Sequence, residues 1–209
     1  MTDGTTTGNS GDVVTNLRRV GALKEGHFLL SSGRHADRYI EKFDLLRHPR
    51  ATEAVCHGFR DRFADAGIDV VVGPTTGGIL LAFEVARQLG TEAAYAERPS
   101  DGSAGREFRR GTAFQQGQRV LVVDDILTTG GSLRDTLAAL ADEPVEVVAV
   151  AVLIDRSGGR VSFGDNIPLF ALATLDVASW DAAECPLCAS GVPLIKPGTS
   201  MPANTASTR

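Results

Sequence analysis

The sequence predicts an α/β fold, a mostly parallel sheet flanked by helices, and three observations carry that prediction. Continuous apolar runs, VVVG at 70–73, VLVV at 120–123 and VEVVAVAVLI at 145–154, lack polar alternation and suit strands covered on both faces. Stretches of helical period separate them in a repeating βα pattern. Polar, glycine-rich turns follow the strands, at the carboxyl ends where open parallel sheets bind ligands.

Taken in order, Asp12 is placed to cap a short helix running through Leu23. HFLLSSG and RYIEKFDLL then read as two strands around a turn at Gly33. Pro49 suits the first turn of a longer helix to Ala66. Strands are expected at 69–73, 92–96, 119–123 and 146–154, with helices at 78–89 and 132–141. The polar stretch RPSDGSAGREFRRGTAFQQGQ has no strong periodicity, so it is either disordered or a functional lid.

Size and composition bound the rest. A chain of 209 residues with 43% hydrophobic and 22% charged residues fits one domain, over 11–198. Segments 1–10 and 199–209, rich in Thr, Ser, Gly, Asn and Pro, are expected to be disordered tails. A net charge of −5 and a pI near 5.4 argue against nucleic acid as a partner. No apolar run approaches the roughly 20 residues that cross a bilayer, so no membrane role is expected. The N-terminal MTDGTTTGNSGD has neither a basic nor an apolar segment, which makes a cytoplasmic location the default. Three cysteines are too few for a disulfide framework.

The run VLVVDDILTTGGS, Val120 to Ser132, carries the chemistry. A buried strand delivers Asp124 and Asp125, and the turn that follows leads into a helix. Backbone N–H groups there, with the hydroxyls of Thr128, Thr129 and Ser132, make an anion site suited to a terminal phosphate, and Gly130 and Gly131 let the backbone come close. Two carboxylates beside such a cradle suit vicinal sugar hydroxyls or a hydrated Mg²⁺. The plainer reading is a strand end and a shaped turn; the full run favours the functional one. No GxxxxGK[ST] sequence occurs, and no GxGxxG follows the first parallel strand.

VLVVDDILTTGGS resembles the phosphoribosyl pyrophosphate motif of the type I phosphoribosyltransferases. GALKEGHFLLSSGRHADRY, VVVGPTTGGILLAFEVARQLG, AERP and CPLCASGVPLIKPGT look like the orotate branch of that family, so the resemblance covers most of residues 20 to 199. It implies transfer of ribose 5-phosphate from phosphoribosyl pyrophosphate to orotate, with Mg²⁺ as cofactor. It also implies a homodimer and a small hood built from N- and C-terminal segments, with a flexible loop. Asp124 and Asp125 would hold the ribose hydroxyls and meet the metal indirectly, and Thr128 to Ser132 would hold the 5-phosphate. The turn GPTTGG, with Thr75, Thr76, Gly77 and Gly78, would be the pyrophosphate loop; by itself it is an ordinary glycine-rich βα connection.

Arg98 looks like the pyrophosphate-binding arginine at the root of the loop, and Arg106 is the cation best placed within it. Arg109 and Arg110 are as readily a solvated cluster. Arg156 resembles the residue that meets the base, since an arginine fork suits a planar anion. The chain departs from the family pattern in having no lysine between Lys42 and Lys196, where the loop usually carries one. Two alternatives therefore stand beside the orotate reading: a phosphoribosyltransferase for another base, and a regulatory protein that binds phosphoribosyl pyrophosphate.

Cys185 and Cys188 form a CxxC, but a structural zinc needs four ligands and no second Cys or His pair stands at suitable spacing. A hood loop packing over the base is the expectation there. His27 and His35 read as surface or satisfied structural histidines, and Trp180 as core or interface.

Overall fold

A computed structural model describes residues 6–7 and 10–197. In chain order its elements are β1 (Thr6–Thr7), α1 (Ser10–Arg19), β2 (Leu23–Leu29), β3 (His35–Ile40), α2 (Lys42–Leu46), α3 (Pro49–Phe63), β4 (Val70–Pro74), α4 (Gly77–Leu89) and β5 (Glu92–Ala96). They continue with β6 (Gln118–Leu127), α5 (Gly131–Ala141), β7 (Val145–Asp155), β8 (Leu169–Thr174), β9 (Ser179–Trp180), a 3₁₀ turn at Ala182–Glu184 and α6 (Pro186–Ala189). The chain divides into two compact units. One comprises Met1–Ala22 with Lys42–Asp176, the other Leu23–Glu41 with Val177–Arg209.

The larger unit is built on one sheet in the order β1-β8-β7-β6-β4-β5, every pair parallel. Its central strands have no solvent face: Val70, Val72, Val120, Val122, Val150 and Val152 are buried against Leu133 and Leu140 of α5. Burying each such side chain contributes about 1.5–3 kcal/mol, which is why uninterrupted valine runs specify the middle of the sheet. On α3, Phe59 and Phe63 meet Phe170 of β8 edge to face at 6.3 and 5.7 Å. Pro49 occupies the first turn of α3, where a missing N–H costs nothing.

The smaller unit is a three-stranded antiparallel sheet, β2-β3-β9, with a register shift between Glu25 and Phe28. Arg34 clasps β9 by donating to the Ser179 carbonyl at 2.7 Å and to Asp181 at 2.8 Å.

Several boundaries differ from the sequence expectations. The first helix stops at Arg19 rather than Leu23: the chain turns at Gly21 (φ 72°), Ala22 donates back to Leu17, and Leu23 begins β2. RYIEKFDLL is not one strand, because KFDLL coils into α2 and buries Leu45 and Leu46. The strand expected to end at Val123 runs on to Leu127, since its pairing with β7 continues through Ile126 and Leu127. β8 was not expected at all; LFALAT is short and lacks both alternation and a flanking helix signal. Thr6–Thr7, inside the segment expected to be a tail, pairs in parallel with β8, and the other tail, 199–209, lies outside the described residues.

Candidate active site

The longer β6 changes how the acidic pair is presented. Successive strand residues point to opposite faces, so Asp124 and Asp125 diverge. Asp124 lines an open cavity of about 360 Å³ whose remaining wall comes from Arg98, Ile126, Leu127, the turn Thr128–Ser132, Leu133 and Asp135. Asp125 is buried and ion-paired with Lys42, whose Nζ lies 2.9 Å from Oδ2. Burial and the neighbouring Asp125 push the Asp124 carboxyl up to about 7, against the opposing hydrogen bond from the Asp125 N–H. Such a group gains from any positive charge brought beside it.

The phosphate-type turn is held by its own glycine and by an arginine. Gly130 caps α5 with φ 78°, a conformation that side chains disfavour, and Gly131 begins the helix, where a Cβ would touch Thr129 Oγ1 at 3.9 Å. Arg134, one turn into α5, donates to the Thr129 carbonyl at 2.9 Å and lies over the Phe163 ring at 5.4 Å. The turn is thereby fixed while its N–H groups stay at the mouth of an eleven-residue helix, an arrangement that attracts anions.

The GPTTGG turn packs close beneath Asp125. A Cβ on Gly77 would sit 2.0 Å from Asp125 Oδ2, and one on Gly73 would sit 2.0 Å from the Gly78 carbonyl oxygen. Gly77 and Gly78 are buried, so their absent side chains serve this close approach. Thr75 and Thr76 form the rim, joined by a cis peptide bond. Arg106 reaches back to it, donating from Nη1 to Thr75 Oγ1 at 2.9 Å and to the Ala96 carbonyl at 3.0 Å. Burial lowers the Arg106 pKa, partly offset by the charge of Asp124.

The segment expected to be disordered or a lid is anchored. Glu97 and Glu107 bridge in antiparallel fashion, and Phe108 packs edge to face on Phe114 at 4.9 Å, both against the valine core. Arg109 and Arg110 are spent on Glu97, each at 3.1 Å, and the hydrogen bonds from Arg110 and Arg109 hold that carboxyl below the usual range. Residues 100–104, at the tip, are exposed.

The structure thus gathers Arg98, Asp124 and Thr128–Ser132 around one cavity, and Thr75 with Arg106 at a second turn. Arg156 is not part of that cavity lining; its backbone N–H donates to Leu127, beside the end of β6. Lys42 is a charged partner of the acidic pair that the sequence offered no way to find, since 83 residues separate it from Asp125. A smaller cavity, about 140 Å³ between Phe63 and Phe170, brings together mainly apolar groups with Arg62.

Comparison with known proteins agrees with this geometry. Residues 44–163 match the model of the phosphoribosyl transferase domain. The chain is 42% identical over 191 residues to an orotate phosphoribosyltransferase of Caldicellulosiruptor bescii, covering 91% of this chain and 98% of that protein. It is 44% identical over 192 residues to one from a Methylobacterium species, covering 90% and 95%. The crystal structure of orotate phosphoribosyltransferase from Aeropyrum pernix superposes with a TM-score of 0.66 at 28% identity, over 78% of this chain and 93% of that one.

Proposed function

Because the chain belongs to the phosphoribosyltransferase family, we propose that it transfers ribose 5-phosphate from phosphoribosyl pyrophosphate to N1 of orotate, giving orotidine 5′-monophosphate and pyrophosphate. The observation that carries this reading is the cavity in which Asp124 and Arg98 face the turn Thr128–Ser132. A phosphate fits the turn, a carboxylate can accept hydrogen bonds from ribose hydroxyls, and a guanidinium in the same lining suits a departing anion. Orotate itself is supported by the relatives, orotate phosphoribosyltransferases at 42% and 44% identity.

No side chain need act as nucleophile. The bond from the anomeric carbon to the pyrophosphate oxygen breaks as the bond to N1 forms, and positive charge develops on the sugar. Asp124 is placed to hold the ribose hydroxyls, the turn to fix the 5-phosphate, and Arg98 to stabilise the leaving group. The work done is positioning and electrostatics. Carboxylate oxygens are hard donors of the kind Mg²⁺ accepts, usually with several of its waters retained, so Asp124, which lines the cavity, fits a hydrated ion met through water or sugar hydroxyls, while Asp125 already has Lys42 as its cation. When bound, that ion would supply charge neutralisation to the pyrophosphate.

The homodimer belongs to the same proposal. Leu80 and Phe83, one turn apart on α4, are 44% and 65% exposed, an apolar pair that a second copy would cover. Among the described residues no helix is long and apolar enough to cross a membrane, and we place the protein in the cytoplasm.

Incubation with phosphoribosyl pyrophosphate, Mg²⁺ and a panel of bases tests the central reading. Release of pyrophosphate with orotate is expected. Turnover of a purine but not of orotate would replace the base, and binding of phosphoribosyl pyrophosphate without turnover of any base would make the protein a regulator.

A further inference from the structure

The smaller unit contains a cluster that the transfer reaction does not use. His27 on β2, His35 on β3, and Cys185 and Cys188 at α6 direct one donor atom each to a common point, all four atoms lying within 4.8 Å of one another. We propose that they form a structural Zn²⁺ site with His27 Nε2, His35 Nδ1 and the two Sγ atoms as ligands.

The spacing is that of a coordination shell. Zinc bonds of about 2.3 Å to sulfur and 2.0–2.1 Å to nitrogen set tetrahedral edges of about 3.3 Å between nitrogens and 3.6 Å between nitrogen and sulfur. The observed separations are 2.9 Å for His27 Nε2 to His35 Nδ1, 3.4 and 3.7 Å from His27 Nε2 to Cys185 and Cys188, and 3.3 Å from Cys188 to His35 Nδ1. These four separations lie within about 0.4 Å of the tetrahedral edges, and the widest pair of the set, at up to 4.8 Å, closes by about an ångström when the ion binds.

The surroundings fit as well. His27 Nδ1 lies 2.8 Å from the Val192 carbonyl, which can only accept, so Nδ1 carries the proton and Nε2 keeps its lone pair toward the cluster. His27, His35 and Cys185 are buried, while Cys188 is exposed and leaves a way in. Binding releases one proton from each thiol to solvent. Two thiolates then balance the two charges of the ion, and the site is formally neutral, as burial requires. Four protein ligands leave no open position, so the role is structural rather than catalytic. Sulfur and imidazole donors select zinc over a hard ion such as magnesium.

The unit also has need of a staple. Among the described residues of Val177–Arg209, Cys185 is the buried one. That segment therefore joins the β2-β3 hairpin with no buried aliphatic or aromatic anchor of its own. A metal linking Cys185 to His27, 158 residues away, supplies the missing attachment.

The test uses the full chain, produced with zinc in the medium and dialysed against metal-free buffer. Elemental analysis is expected to give one zinc per chain, and Cys185→Ser and Cys188→Ser each to lower it to less than about a tenth, as loss of one thiolate should. Cobalt in place of zinc should give the intense visible bands of a tetrahedral thiolate site. If the serine variants fail to fold, His35→Cys keeps four ligands and is expected to retain zinc while strengthening the thiolate-to-cobalt absorption. Zinc-free wild-type protein with reactive thiols, or with a Cys185–Cys188 disulfide, would overturn the proposal, as would an octahedral cobalt spectrum.

Discussion

The turn after β6 and the His–Cys cluster of the smaller unit are opposite solutions to holding a ligand. The first is open, oxygen-rich and lined with backbone N–H groups, with Arg98 and Asp124 both in the wall of a cavity of about 360 Å³. The second draws four soft donors to within 4.8 Å and buries three of the four residues. An open, hard site lets an anionic substrate enter, react and leave at the cost of staying wet. A closed, soft site holds one ion for the life of the fold. Damage should therefore appear as lost turnover in the first region and as lost stability in the second.

Asp125→Asn presses hardest on that distinction. Asp125 pairs with Lys42 and lies against Gly77, so its charge fixes the floor of the transfer site. Loss of one preorganised charged contact costs on the order of 2–4 kcal/mol in transition-state stabilisation, and kcat/KM is expected to fall accordingly. Steady-state kinetics with orotate measure it; a variant with near-normal kcat/KM would remove Asp125 from that role.

Gly77→Ala should act on the same floor by steric means. A methyl group 2.0 Å from Asp125 Oδ2 must displace either the carboxylate or the α4 N-terminus. Overpacking of this kind costs about 1–3 kcal/mol, so a lower melting temperature and a reduced kcat are expected together. Unchanged kcat would mean that Asp125 can move without consequence.

Stripping the cluster with a strong chelator should give the contrasting result. The melting midpoint is expected to drop by at least about 4 °C, corresponding to roughly 1–2 kcal/mol for a chain of this length, and zinc but not magnesium should restore it. A midpoint indifferent to chelation would erase the difference between the two regions.

The same contrast explains what the sequence disclosed. Strand, acidic pair and phosphate turn occupy one run from Val120 to Ser132, because a strand and the helix after it are neighbours in both chain and space. Valine runs located the central strands for a similar reason: burial on both faces leaves no room for polar residues. The cluster was illegible because its ligands come from a hairpin and a remote C-terminal segment. His27 and His35, eight residues apart, meet only through the β2-β3 pairing, in which Leu29 lies opposite His35. The CxxC was visible, and the hairpin around Gly33 was the signal that could have supplied its partners. Lys42 was hidden for the same reason, and β8 because a short apolar run carries no period of its own.

The smallest expected effect concerns the arginines of the segment between β5 and β6. A cationic lid over an anionic substrate would make Arg110 important, yet its side chain is 68% exposed and turned to Glu97 at 3.1 Å. Arg106 is instead drawn to Thr75, so the cations this segment brings to the site are Arg98 and Arg106. Exposed ion pairs contribute little because water screens them and ordering two long side chains costs entropy. Arg110→Gln is therefore expected to keep kcat/KM within about twofold of the parent value, the modest range typical of surface positions. A tenfold loss, with the gap in KM for phosphoribosyl pyrophosphate between variant and parent widening as salt is lowered, would mean that Arg110 leaves Glu97 to meet the substrate. The segment would then count as a lid, and the open site would share with the closed one the habit of recruiting residues from far along the chain.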